Sequence, residues 1–94
     1  LNRGLDNNLY YWRDKTGHEI DCIIDRAGSE VIPVEIKAGR TIASDYFKNI
    51  TYYNQFSGQT AERSFVVYGG TDCQKRSAGQ VLGYSSLEPI FELL

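Results

Sequence analysis

His18-Glu19-Ile20-Asp21-Cys22-Ile23-Ile24-Asp25, followed after a short polar turn by Val31-Ile32-Pro33-Val34-Glu35-Ile36-Lys37, carries most of what this chain says about itself. Both stretches alternate apolar and charged residues with the period of two expected of a β-strand. In the first, Glu19, Asp21 and Asp25 fall on one face, and Ile20, Cys22 and Ile24 on the other. In the second, Glu35 and Lys37 share a face, with Ile32, Val34 and Ile36 opposite. Arg26-Ala27-Gly28-Ser29-Glu30 supplies a turn, so the two strands are expected to pair as an antiparallel hairpin. Packing both isoleucine faces on one core brings Asp21, Glu35 and Lys37 together on the other face. Two carboxylates beside a lysine suit a hard divalent cation and an activated water. On spacing alone, the same three residues equally make an exposed cross-strand ion pair worth about 1 kcal/mol or less.

Ahead of the hairpin, Asn8-Leu9-Tyr10-Tyr11-Trp12-Arg13 is aromatic and strand-like, and Asp14-Lys15-Thr16-Gly17 turns the chain. The first third therefore reads as a three-stranded antiparallel meander. After Ala38-Gly39-Arg40-Thr41-Ile42, Ser44 can cap a helix from Asp45 to about Phe56, with Gly58 as its stop. Tyr46, Ile50 and Tyr53 recur at helical spacing and should face the sheet, with Lys48, Asn49 and Gln55 at the flanks or outside. Ser64-Phe65-Val66-Val67-Tyr68, stopped by Gly69-Gly70, reads as a buried strand, and the strand–helix–strand order implies a crossover with parallel pairing. Thr71 to Ala78 is a polar loop, and Gly79-Gln80-Val81-Leu82-Gly83-Tyr84 a last strand. Ser85 with Glu88 makes a capping box for a short terminal helix through Leu93. The fold class is α/β in the broad sense: an α+β unit on a mixed sheet, with a meander, a crossover helix, further strands and a short C-terminal helix.

With 94 residues, 41% of them hydrophobic, the chain is one small domain with a modest core. No apolar run approaches the roughly 20 residues of a membrane span. Leu1 to Asn8 has neither the basic start nor the apolar stretch of a signal peptide, so a cytoplasmic protein is expected. The chain contains no methionine and is expected to be processed, trimmed or part of something longer. Two cysteines, Cys22 and Cys73, fit neither a zinc cluster nor a disulfide framework. Cys22 reads as a small buried hydrophobe and Cys73 as a loop residue. A net charge of −2 argues against a broad nucleic-acid footprint while leaving room for a local one.

Asp21, thirteen intervening residues, then Glu35-Ile36-Lys37 resembles the Asp…Glu-x-Lys core of the PD-(D/E)XK nuclease-like superfamily. The element order, meander then helix then strand, is similar to that of restriction endonucleases and archaeal-type Holliday junction resolvases. The chain looks closer still to an uncharacterised C-terminal domain that follows an AAA-type ATPase domain in many prokaryotic proteins. The shared pattern is carried by Tyr11-Trp12-Arg13, Gly17-His18-Glu19-Ile20-Asp21, Pro33-Val34-Glu35-Ile36-Lys37 and Phe65-Val66-Val67-Tyr68-Gly69-Gly70. The resemblance implies a restriction-endonuclease-like core over residues 1–94, the C-terminal part of a longer ATPase-linked protein. It implies that Asp21 and Glu35 bind Mg²⁺ or Mn²⁺ and that Lys37 orients or activates the attacking water. Ile20 stands where the superfamily's name has Pro. Some members add a Glu from an N-terminal helix, and no such helix is legible ahead of Asn8.

Around that trio several residues have a functional and a plain reading side by side. Glu19 is a further ligand or a strand-edge charge; Lys48 and Gln55 are auxiliary groups from the helix or solvated polar residues. Tyr11 and Trp12 stack on bases or belong to the core. Arg13, Lys15 and Arg40 touch phosphates or are solvated surface. His18 lies near a scissile phosphate or is a turn residue. The functional expectation is a Mg²⁺-dependent phosphodiesterase or nucleic-acid-binding domain acting on DNA or RNA and attached to an ATPase. The alternative is a non-catalytic regulatory or protein-interaction module that retains the nuclease fold.

Overall fold

A computed structural model describes residues 7–26, 30–43, 45–58 and 61–93. Among them, six strands form one mixed sheet in the order β1-β2-β3-β4-β6-β5. The strands are β1 (Asn7–Arg13), β2 (Glu19–Arg26), β3 (Glu30–Lys37), β4 (Phe65–Tyr68), β5 (Gln74–Arg76) and β6 (Gly79–Gly83). Helix α1 (Lys48–Ser57) connects β3 to β4, and α2 (Glu88–Phe91) follows β6. The meander β1-β2-β3 is antiparallel, while β3-β4 and β4-β6 are parallel, as a crossover helix after β3 requires. The expected α+β architecture is the one observed.

Both faces of the sheet are covered. Ile20, Ile23, Val66, Tyr68 and Val81 pack with Tyr46, Phe47, Ile50 and Tyr53 from the α1 side. Ile24, Ile32, Val34, Phe65 and Leu82 pack with Ile90 of α2 on the other. Each fully buried isoleucine or phenylalanine contributes about 1.5–3 kcal/mol of transfer free energy, so these two layers hold the sheet.

Strict alternation along β2 fails, and the register says why. Tyr10 pairs with Ile23 and Trp12 with Ile20, so Tyr11 alone faces both Asp21 and Cys22. This bulge puts one extra residue into β2 and turns the following side chains over. Ile20 and Ile23, three apart, therefore share the α1 layer, whereas Cys22 and Ile24 join the α2 layer. The expectation that Ile20 lies with Cys22 and Ile24 is corrected.

Smaller departures have equally local causes. α1 begins at Lys48, after a turn at residues 45–47, so Tyr46 is buried from the turn rather than from the helix. The expected cap at Ser44 and the hairpin turn at residues 27–29 lie outside the described residues. Gly58 ends the helix as anticipated, with φ 78° and its N–H on the Asn54 carbonyl. The polar loop from Thr71 to Ala78 contains the short edge strand β5, exposed at all three residues and paired to β6. The terminal helix is capped at Leu87 with no side-chain bond, so the Ser85–Glu88 box does not form.

Candidate metal centre at a forked hairpin

The β2–β3 ladder runs from Arg26↔Glu30 to Cys22↔Val34 and stops there. Along its other edge, β3 pairs with β4 from Val34 to Lys37. Asp21 and Glu35, which would form the next rung, face each other across a fork that their side chains close. The Asp21 backbone N–H donates to Glu35 Oε1 at 3.0 Å, and the Ile36 N–H donates to Asp21 Oδ2 at 2.8 Å. Each carboxylate thus satisfies a main-chain donor that the ended ladder leaves without a carbonyl. The bulge at Asp21–Cys22 re-aims Asp21 toward β3.

The two acids live in different surroundings. Asp21 is exposed, while Glu35 is only 3% exposed. Lys37 Nζ lies 3.7 Å from Glu35 Oε2 with about a third of its side chain exposed. Burial pushes the Glu35 carboxyl above the ordinary glutamate range; the hydrogen bond from the Asp21 amide and, less, the charge of Lys37 oppose this only in part, and the Asp21 carboxyl pushes the same way as burial. An exposed cross-strand ion pair is therefore not what the chain builds. Of the three side chains expected on a solvated face, Asp21 is exposed and Lys37 partly so, while Glu35 is buried. The three meet at the mouth of the fork, with Glu35 inside and Asp21 outside.

A contact that sequence reasoning missed comes from Tyr46. Its ring lies under Lys37, with Nζ 6.0 Å from the centroid, and its hydroxyl donates to the Thr41 carbonyl. Helical spacing marked Tyr46 as core, and only the fold brings it beneath the lysine.

Other expected residues lie elsewhere. Glu19 is exposed at the start of β2, across from Arg13. No group of three or more His, Cys, Asp or Glu side chains able to hold a metal occurs among the described residues, so Glu19 does not complete the pair. Lys48 and Gln55 line grooves against Ser77 and Ala78 of the β5–β6 turn, not the fork. Arg40 is exposed on the wall of a polar cleft beyond the end of β3. Lys15 and Arg13 are exposed, and Tyr11 is 53% exposed. Trp12 is half-buried, its ring 5.0 Å from Tyr53 edge-on and 6.4 Å from both Tyr52 and Phe56. His18 stacks on Tyr52 with ring centroids 3.7 Å apart and planes within 2°. Its Nδ1 is 2.8 Å from Thr16 Oγ1, and the His18 backbone N–H donates to Asp14 Oδ1. Desolvation raises the Asp14 pKa, yet hydrogen bonds from Tyr52, Thr16 and the His18 and Thr16 amides together outweigh it and bring it down to about 2. These bonds clamp the β1–β2 turn onto α1. Cys22 is half-buried against the α2 layer, its thiol pushed up by burial and by Asp21, and Cys73 is exposed; neither is in a disulfide.

The donor set fits a hard cation. Two carboxylates from adjacent strands, one buried and one open to solvent, leave coordination positions for waters or a phosphate oxygen, as Mg²⁺ prefers. Fold and site together define a small mixed-sheet domain with a carboxylate pair and a lysine at a strand fork. The chain belongs to the family described as Domain of unknown function (DUF4143), whose model matches residues 1–87. No curated protein and no solved structure matches the chain. Among the described residues, no helix is long and apolar enough to cross a membrane.

Proposed function

We propose that this chain is a metal-dependent phosphodiesterase domain of PD-(D/E)XK type, acting on DNA or RNA in the cytoplasm beside an AAA-type ATPase domain. One observation carries it: Asp21, Glu35 and Lys37 meet at the fork, within hydrogen-bonding and ion-pairing reach. Asp21 and Glu35 would hold Mg²⁺ or Mn²⁺, which when bound supplies a Lewis acid and a water of lowered pKa. Asp21, on the open side, faces the direction from which a phosphodiester arrives. Glu35, buried and tied to the Asp21 amide, is the rigid ligand. Lys37, held between Glu35 and the Tyr46 ring, orients the attacking water and offsets charge developing on the phosphorus oxygens. The unpaired cysteines accord with a reducing compartment.

The test is cleavage of single- and double-stranded DNA and RNA by the full-length protein with Mg²⁺ or Mn²⁺. Activity should vanish in Lys37→Ala and Asp21→Asn while both variants remain folded. Cleavage that persists in both, or a wild type inert on every substrate, rejects the proposal.

A second reading has its own support. Only two acids converge among the described residues, and the chain's net charge is −2. On that reading the domain is a non-catalytic module that regulates the ATPase or binds a partner. Titration with Mn²⁺ separates the two: binding lost in Asp21→Ala and Glu35→Ala favours the enzyme, and no binding by the wild type favours the module.

A further inference from the structure

The three parallel strands β3, β4 and β6 end side by side, and a polar cleft of about 460 Å³ opens beyond them. Arg40, Tyr68, Gly69, Gly70, Thr71, Asp72 and Tyr84 line it. The C-terminal ends of parallel strands are where open α/β sheets hold their ligands.

The floor of the cleft is main chain packed too closely for side chains. The Gly69 N–H donates to the Gly39 carbonyl at 2.8 Å. A Cβ at Gly69 would stand 2.8 Å from the Ala38 carbonyl oxygen, one at Gly70 2.5 Å from the Tyr68 ring, and one at Gly83 2.7 Å from the Gly70 carbonyl oxygen. The walls are anchored as well. The Asp72 N–H donates to the Tyr68 hydroxyl at 3.0 Å, and the Tyr84 N–H to the Tyr68 carbonyl at 3.1 Å. The cleft is thus preformed, and its volume falls in the range of small-ligand pockets.

Its chemistry is mixed in a particular way. Arg40 offers a fork of donors for a phosphate. Asp72 opposes a bare anion but accepts from hydroxyl groups. Tyr84, 64% exposed, with its backbone N–H held by the Tyr68 carbonyl, brings an aromatic ring to the lining on which a planar partner can stack. We infer that this cleft binds a ribonucleotide unit, its phosphate on Arg40, its ribose hydroxyls on Asp72 and its base stacked on Tyr84. An Asp that accepts from a 2′-hydroxyl gives the site a preference for ribose over deoxyribose. The cleft does not need the Asp21–Glu35 pair, so it stands independently of the phosphodiesterase proposal.

The test follows the backbone amides of Gly69 to Asp72 by NMR during titration with AMP, dAMP, adenosine and inorganic phosphate. AMP should give saturable shifts and bind more tightly than each of the other three. Arg40→Ala and Tyr84→Ser, both at exposed positions, should each weaken AMP about tenfold or more. Asp21→Asn should leave AMP binding unchanged, which separates this site from the metal pair. The inference is overturned if AMP gives no saturable shift at millimolar concentration, or if Arg40→Ala binds it as the wild type does. Inorganic phosphate binding as tightly as AMP also overturns it, and so does loss of AMP binding in Asp21→Asn.

Discussion

Asp21 and Glu35 are joined by a crossed pair of bonds: the Asp21 amide donates to the Glu35 carboxylate, and the Asp21 carboxylate accepts from the amide that follows Glu35. The geometry that places two acids together also replaces the missing rung of the sheet. Structural and chemical roles can therefore be separated by substitution. Asp21→Asn keeps an acceptor for the Ile36 N–H and should unfold within about 0.5 kcal/mol of the wild type. Asp21→Ala leaves that N–H without its partner and should lose about 1–2 kcal/mol. Both should lose Mn²⁺ binding. Urea unfolding beside a metal titration checks the split.

Glu35 carries a second prediction, whose sign follows from its raised pKa. The folded state holds the Glu35 proton more tightly than the unfolded chain, where the value is near 4.5. Its contribution to stability is thus fully present below 4.5 and is lost as pH rises through the folded pKa. Glu35→Gln keeps an oxygen for the Asp21 N–H and removes that slope. The variant should be at least as stable as the wild type at pH 7, yet bind no metal. Thermal melts from pH 4 to 8 read the difference, and a large loss of stability at pH 7 would show Glu35 to be structural.

Asp14 has the opposite sign. Its hydrogen bonds lower its pKa from 3.8 to about 2, so its stabilising effect is full above 3.8 and is lost as pH falls toward 2. Asp14→Asn should be less stable than the wild type at pH 5 and should approach it at pH 2. Chemical unfolding at the two pH values measures this convergence.

Gly79 sits at φ 146°, and a Cβ there would stand 2.6 Å from the Ser64 carbonyl oxygen and 2.8 Å from the Phe47 ring. Gly79→Ala should cost about 1–3 kcal/mol through strain and overlap. Gly17, also at positive φ but with nothing within 4 Å, should tolerate Ala with a smaller loss. A comparison of melting temperatures tests the ordering.

Phe65, fully buried between β3 and β6 in the α2 layer, should lose about 3–5 kcal/mol as Phe65→Ala. A loss below 1 kcal/mol by urea unfolding would contradict the packing described for that face.

Much of this architecture is written in local pattern. Alternation around Val34 and Ile24, the Tyr46-Ile50-Tyr53 spacing and the Gly58 stop lead to strands, a helix and a crossover that the fold contains. Three residues as short as Gln74–Arg76 carry no apolar signal, so β5 was not legible; it exists because β6 offers it a partner. The Ser85–Glu88 pattern fails for the converse reason: α2 starts at Glu88, and its local cap is not formed.

At the site the division is the same. The residue types Asp21, Glu35 and Lys37 and their separation are properties of the chain, and strand periodicity suffices to suspect that they meet. How they meet is tertiary. A bulge, set by which residues of β1 oppose β2, turns Asp21 toward β3; the β2–β3 ladder ends at Cys22↔Val34 and leaves the fork; packing buries Glu35, and the turn ahead of α1 sets Tyr46 under Lys37. Periodicity records which side of its own strand a side chain leaves, but the neighbour it finds depends on register and on the layer packed above, and those are decided only when distant segments come together.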